Sequence, residues 1–568
     1  MAIIGQYPIL DFSGGVRRDK SSHELQVNEL LDSRNIIIDE RGRIKTRRGS
    51  QQFGQTLSGA IANSYFYSRR VGSGSADYFL TATSTNPSVL SQIIGTKTTA
   101  SVAVGDATIN VTSTTGFAAS GTVEIDGDLV SYTGVGAATF TGCTGITSAH
   151  VSGAPVHQWS TLTQASDDLD GTGGISFASL GDNVYISGAG TTLQDLKYFD
   201  GTTVSNIAVS PSISLITTYR DRIYGVGRGV AAAGSPKRIF YSARGDGTTW
   251  GGDYFRVEDQ TGERVAALKV YKDRLGIFKS SSIFTYDEIE LKLTSDGVGA
   301  YNNKSVQEIN GVLYTFCPAG VFKTNLSSSQ QIGYPVREYW ESFVPTVDSS
   351  VSPLPNNTFT WASKDSYFIY LGSVSKPTSI SDVVLEYNTR ANNWVVHTGG
   401  FTNFTNVHAV DTFKFGDSSI NFRPALFAGD SDGKMWRLNE NLYRNTSGTG
   451  AVIGGDIYVD RRSNTGTTIS SIIETPLYDL GQPKYWKTIT DLRVYTEEGT
   501  WTVEYRTEDE HGITEYRPLG VAQGTNSVIP IPREAAGWRI GLRFSSVNTN
   551  GTSVLNGFVF EDITLTKR

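Results

Sequence analysis

Apolar residues in this chain recur at every second position, in short runs that turn-forming residues interrupt. Val184-Tyr-Ile-Ser, Arg238-Ile-Phe-Tyr-Ser, Leu275-Gly-Ile-Phe, Val312-Leu-Tyr-Thr-Phe and Tyr367-Phe-Ile-Tyr-Leu are rich in aromatic and β-branched residues. Gly181-Asp-Asn, Gly245-Asp-Gly, Asn310-Gly and Asp432-Gly punctuate them. Side chains of a strand alternate between its two faces, so period two bounded by Gly, Asn and Asp predicts antiparallel hairpins. Helical period is nearly absent. Ser21-Ser-His-Glu24, ahead of Leu25, Leu30 and Leu31, is a capping-box pattern and predicts two or three helical turns. With 61 glycines in 568 residues and 11% aromatic residues, the chain is too rich in Gly for a helical protein and too aromatic for a disordered one. The expected class is all-β.

The middle of the chain repeats. Tyr219-Arg-Asp-Arg-Ile223 returns 52 residues later as Tyr271-Lys-Asp-Arg-Leu275, each predicting a bend with an Asp–Arg pair across it and an apolar strand beyond. Strand starts at Val184, Ile223, Leu275 and Val312 lie 39, 52 and 37 residues apart. Units of about 40 to 50 residues holding four short strands have the blade spacing of a β-propeller, with a stack of β-sandwiches as the competing architecture. The expected organisation is an N-terminal arm and β-hairpin over 1–60, the start of a β-propeller over 61–92, an inserted small β-module over 93–158, the remaining β-propeller over 159–469 and a C-terminal β-sandwich over 470–568. The insert is set apart by its Thr/Ala/Gly-rich, nearly uncharged texture, and surface loops tolerate such insertions.

Chemistry has no visible home. Gly429-Asp-Ser-Asp-Gly433 matches a nucleophile elbow, but a strand, Lys434-Met-Trp-Arg-Leu, follows where that motif needs a helix, so a hairpin turn is expected. Asp430 and Asp432 lack the further ligands of a calcium loop, and Glu124, Asp126 and Asp128 are expected on a solvated hairpin tip. The six histidines, His23, His150, His157, His397, His408 and His511, show no metal-site spacing, although His150 and His157 have the chance to converge inside the insert. Cys143 and Cys317 are too few for a disulfide framework or a cysteine zinc site and suit a reducing cytosol. No catalytic, cofactor-binding or metal residue is assigned, and no enzyme activity is expected. No apolar run reaches the ~18 residues of a membrane helix, and the first residues show no secretory signal. The net charge of −7, from 49 basic and 56 acidic residues, argues against a general nucleic-acid binder.

One charge feature stands out. Arg41, Arg43, Lys45, Arg47 and Arg48 crowd a hairpin in which Asn35–Ile38 and Arg43–Arg47 flank the turn Asp39-Glu-Arg-Gly42. Arg43, Lys45 and Arg47 are expected on one face, either as a solvated stripe or as an interface for an acidic partner or a second copy, with phosphate contact a lesser alternative.

Several phrases, in order, resemble a known family. Leu31-Asp-Ser-Arg-Asn-Ile-Ile-Ile-Asp-Glu-Arg-Gly-Arg-Ile-Lys-Thr-Arg-Arg-Gly49 is similar to the opening of tail nozzle proteins of short-tailed bacteriophages, the packaged-DNA stabilisation or tail tubular B-like proteins. Thr218-Tyr-Arg-Asp-Arg-Ile-Tyr with Ile239-Phe-Tyr-Ser-Ala-Arg-Gly-Asp and Trp250, then Tyr271-Lys-Asp-Arg-Leu-Gly-Ile-Phe and Ile473-Glu-Thr-Pro-Leu-Tyr-Asp-Leu-Gly, resemble further parts of that family, and Thr115 to Val156 resembles a small module of phage structural proteins. The resemblance covers about half of the chain. It implies a virion location in the tail, a homohexameric ring docked on a head-to-tail adaptor protein, a tail fibre or spike protein as neighbour, contact with the host envelope at infection, and passage of double-stranded DNA without sequence-specific binding. Folding in the host cytoplasm would precede assembly. Six times −7 gives −42, a mild repulsion that suits a DNA conduit. Gly/Ser/Ala/Asp-rich 160–174 and 228–236 are candidate gate loops. Two other readings remain: a host-glycan adhesin using Trp250, Trp361, Trp394 and Trp436, and a propeller glycosidase using Asp246, Asp253 and Glu258.

Overall fold

The computed structural model describes the chain except residues 1, 72–73, 126, 166–168, 191–195, 208–210, 229–235, 259–262, 346–356, 378, 402, 411–424, 439–458, 461–466, 549–551 and 568. The described residues are mostly β. Their helices are one five-residue α-helix, Arg337–Glu341, and three 3₁₀ turns. The helix expected after Ser21 is absent: the Glu24 carboxylate does accept from the Ser21 N–H and hydroxyl, but the chain then enters the strand Glu29–Leu30, paired in parallel with Gly15–Val16. Pairing of Leu30, and the carbonyl of Glu474 accepting from Leu31 N–H, override the local signal.

Seven antiparallel sheets follow one another along the chain. Their first strands are Ile61–Val71, Ile175–Leu180, Ile213–Tyr219, Ala267–Tyr271, Val306–Ile309, Phe359–Ser363 and Phe404–Val410. Each packs beside the first strand of the next sheet, and that of the seventh packs beside that of the first. The apolar residues are partitioned accordingly, into clusters that each lie between two successive sheets. Phe359, Trp361 and Tyr370 of the sixth sheet meet Phe404, Leu426 and Trp436 of the seventh. Phe427 and Met435 of the seventh meet Ile61 and Phe79 of the first.

The recurring bends are the two-residue turns between first and second strands. Arg220 and Asp221 take φ of 43° and 58°, and Asn310 and Gly311 take 51° and 76°, the left-handed pair that matches strand twist in a tight hairpin. The expected Asp–Arg pairs across the bends are not among the described contacts. Arg220, Arg222 and Arg244 instead gather on Glu288, at 3.6, 3.8 and 2.8 Å, because Glu288 follows the third strand of the next sheet and reaches all three.

Strands far apart in sequence complete these sheets. The seventh has three strands from Phe404–Val410, Ala425–Asp430 and Met435–Leu438, and its fourth is Ser50–Gln52, with Gln52 opposite Trp436. The first sheet gains the hairpin Gly121–Ile125 and Asp128–Tyr132 at its outer edge. That hairpin belongs to the inserted module, which interrupts the sheet between Leu90–Lys97 and Pro155–Thr161 and packs its own core of Val102, Ile109, Val123, Val130, Tyr132 and Phe140.

Two seven-stranded sheets enclose a separate core of Leu492, Val494, Trp501, Leu542, Phe544, Phe558 and Phe560. Residues 1–60 are not a unit of their own. Ala2–Ile9, Ile36–Ile38 and Ile44–Thr46 join the sheet of Val554–Thr566, Asp32–Arg34 joins that of Thr467–Glu474, and Ser50–Gln52 joins the ring. Apolar Ile36, Ile38 and Ile44 are fully buried only in that company, which is why the arm does not stand apart.

Candidate functional site

The N-terminal ends of all seven first strands meet around one cavity of about 330 Å³. Asn63, Ser176, Ser214, Val265, Lys304, Thr358 and Thr405 each enter it from a different sheet. The Nζ of Lys304 donates to the carbonyls of Ala62 and Thr405, both at 2.9 Å, and so ties the fifth sheet to the first and the seventh. The Lys304 side chain is half-buried at the cavity wall, and its desolvation there holds its pKa down to about 8. Arg228 donates to the carbonyl of Gly190. Its burial lowers its pKa, against the opposing pull of Asp170. Asp170 lies behind the loop Gly171 to Gly174 and accepts from the N–H and hydroxyl of Thr172 at 3.0 and 2.6 Å. Arg264 is exposed at the mouth. Among the described residues no Asp or Glu lines the cavity.

Further along the inner strands lie Tyr65, Lys269, Glu308 and His408, from the first, fourth, fifth and seventh sheets. Tyr65 stacks on Phe177, ring centroids 5.5 Å apart, and lies 6.3 Å from the ring of His408. Burial, and then the Lys269 ammonium, push the His408 pKa down to about 4. Lys269 is itself lowered by burial, with Glu308 opposing. His408 and Lys269 belong to non-adjacent sheets yet sense each other's charge, so both face the centre. None of these groups carried a sequence signal, because each stands alone on its own strand and only the circular order brings them together. The described ends of the two expected gate loops do reach the cavity, at Gly171 to Gly174, Arg228 and Pro236, while 166–168 and 229–235 lie outside the described residues.

The basic hairpin is not one free stripe. Arg43 is held by Asp39 at 2.8 Å and Glu497 at 2.7 Å, and Lys45 lies 3.5 Å from Asp39. Burial raises the Asp39 pKa, but the hydrogen bonds from Arg43 and from the Arg41 and Arg43 N–H groups win, and the carboxyl sits below its usual range. Arg47 is 2% exposed. Its guanidinium donates to the Asn35 side chain at 2.8 Å and to the carbonyls of Arg48 and Gly399 at 3.0 Å, and lies 4.9 Å over the Phe401 ring. Arg47 turns inward because the strand ends at Thr46 and the chain crosses there to the seventh sheet. Arg41 is exposed and Arg48 half-buried.

Glu124 and Asp128 of the insert are buried, not solvated. Glu124 meets His157 and Asp128 meets His150, each at 3.0 Å, so the two histidines do not converge. Asp126 lies outside the described residues. Burial lowers the His157 pKa against the opposing pull of Glu124, and the Glu124 pKa, despite its own burial, is lowered by His157 and Arg437. Gly429 to Gly433 is a hairpin turn, closed by the Asp432 and Lys434 N–H groups on Asp430 Oδ1 and the Trp436 indole on Oδ2 at 2.7 Å. Trp250, Trp361, Trp394 and Trp436 are all buried, at most 7% exposed, and offer no stacking surface to a glycan. Asp246 holds Thr248 and Thr249, Glu258 pairs with Arg256 and Asp253 is exposed; none of the three lines the cavity. Among the described residues no group of three or more His, Cys, Asp or Glu is placed to hold a metal ion, and both cysteines are buried thiols.

No family model and no curated protein sequence matches the chain. Among solved structures, BamB from Moraxella catarrhalis is similar over 60% of this chain and 100% of its own, with 11% identity and a TM-score of 0.28. The extracellular domain of the putative hybrid two component system BT4673 from B. thetaiotaomicron is similar over 76% of this chain and 64% of its own, with 11% identity and a TM-score of 0.24. At such scores neither bears on function, and the architecture rests on the sheets described above.

Proposed function

We propose that this chain is a structural subunit of a phage tail. The circle of sheets is then a seven-bladed β-propeller, carrying an inserted β-module and joined to a β-sandwich. Six subunits would form a ring-shaped nozzle below the portal and its adaptor, with a tail fibre or spike protein outside and the genome retained in and conducted through the bore.

The observation that carries this reading is the place of the segment Leu31 to Gly49, the one most similar to the opening of tail nozzle proteins. It is the joint of the molecule. Asn35 receives Arg47 and the Thr398 N–H on its Oδ1 and donates to the Ser470 carbonyl at 2.8 Å, which locks the hairpin to the sixth sheet and to the strand Thr467–Glu474. The chain then runs directly into Ser50–Gln52, the strand that completes the seventh sheet. A subunit that bears load between neighbours needs its two bodies fixed together by such contacts and not by a linker. The four-stranded sheets cover each other's faces, which leaves few long edges to mispair in a crowded assembly. A net charge of −7 repels DNA mildly at long range.

Light scattering of the purified chain, alone and with its adaptor, tests the proposal. A particle of about six times 61.6 kDa is expected, formed alone or on addition of the adaptor. A monomer in both samples overturns it.

A further inference from the structure

We propose that the cavity at the centre of the seven sheets binds a small oxyanion, a ligand carrying a phosphate or sulfate group. The inference does not depend on the nozzle reading, since it concerns the isolated chain.

Three cationic side chains, Arg228, Arg264 and Lys304, line a space of about 330 Å³ that no Asp or Glu among the described residues lines, in a chain with more acidic than basic residues. That volume is at the lower end of small-ligand sites, enough for a phosphate or sulfate with a modest organic group. Donors are in excess. Lys304 uses two N–H bonds on the Ala62 and Thr405 carbonyls and keeps its third, and among the described residues Arg264 has no hydrogen-bonding or ionic partner. The Asn303 Oδ1 accepts from the Leu268 N–H at 3.2 Å, which leaves its NH₂ for a ligand. Among the described residues, Asp170 is turned into the Thr172 loop and pulls on Arg228, and Glu263, beside Arg264, accepts from the Ser281 hydroxyl at 2.9 Å.

A half-buried ammonium with two carbonyl acceptors and no counter-ion among the described residues is held at a cost, which its lowered pKa expresses. An anion in the cavity offsets that cost for Lys304 and gives the Arg264 fork a bidentate partner. A neutral sugar or a cation would do neither.

Calorimetric titration and thermal unfolding with sodium sulfate, against sodium chloride at matched ionic strength, test this. Sulfate keeps its charge over the working pH range. A saturable heat with one site per chain and a midpoint raised by a few degrees are expected. Arg264→Glu places a carboxylate at the mouth and should weaken sulfate at least tenfold, with Arg264→Ala between it and the parent. Arg264 is exposed, so both variants should fold, and their midpoints without sulfate verify it. No saturable binding beyond the chloride control, or binding that Arg264→Glu leaves intact, overturns the proposal.

Discussion

Strands of the ring and strands of the two-sheet unit bury themselves differently. In the sixth sheet of the ring, Ser366 to Leu371 are six buried residues in a row and Asn393–His397 is buried throughout, because each face of the sheet lies against a neighbouring sheet. In the two-sheet unit, Asp491–Thr496 and Thr500–Asp509 alternate strictly, with Leu492, Val494, Trp501, Val503 and Tyr505 inward and their neighbours toward solvent. The same period-two chemistry thus serves two designs. One builds a single dry core between two layers. The other spreads its apolar contacts over many small interfaces and leaves the centre, where only inner edges meet, to Lys269, Lys304, His408 and backbone carbonyls.

The largest test of that contrast removes one aromatic from each kind of core. Phe560→Ala in the two-sheet unit and Phe427→Ala between the seventh and first sheets should each cost about 3–5 kcal/mol, since both side chains are fully buried. The Asn35–Arg47 joint predicts that calorimetry shows one shared transition in each variant, and two separated transitions would show the regions to be independent.

The polar centre predicts an acid limb that the dry core lacks. His408 titrates at about 4 in the folded chain, whereas an unfolded imidazole does so near 6.5. Below pH 6.5 the unfolded chain therefore gains a proton that the folded chain refuses. Stability should fall from about pH 6.5 to about 4 and then level off, by roughly 3 kcal/mol at most. His408→Gln should flatten that part of the denaturation profile relative to the parent, and a profile unchanged by the substitution would remove His408 from this role.

The smallest effects separate the members of the basic hairpin. Arg47→Ala strands the Asn35 side chain and two carbonyls at the joint and should cost about 2 kcal/mol. Arg41→Ala, at an exposed position, should change stability by less than about 0.5 kcal/mol. Equal losses in urea unfolding would mean that the hairpin acts as one surface after all.

What was legible in the sequence follows from range. The all-β class and the hairpins were visible because alternation and Asn-Gly or Arg-Asp bends are local. The bends at 219–222 and 271–274 are indeed turns from first to second strands, and Leu196 to Phe199 and Ile239 to Tyr241 fall on or beside third strands. Ser50-Gln-Gln was not legible as a strand, being polar and three residues long; it is ordered only by Met435–Leu438, far along the chain. Arg47 read as part of a charge run because the crossing that turns it inward happens just beyond it. Glu124 read as solvated because Asp-Gly is turn chemistry, while the partner that buries it, His157, comes 33 residues later. The cavity was invisible for the strongest reason: its lining is drawn from every sheet, and no window of sequence contains two of its cations together with the strands that converge them.

The fourth strand of the seventh sheet has a consequence for how the molecule is made. Gln52 leaves the ribosome early and waits for Trp436, 384 residues later, before it can pair. At roughly 5–20 residues per second that interval lasts tens of seconds. Throughout it the first sheet lacks its neighbour on one side and the strand Ser50–Gln52 has no sheet to join. Pairing at such a separation is slow and leaves an unpaired edge exposed meanwhile, so the meeting of the two ends of the circle is the late step of folding.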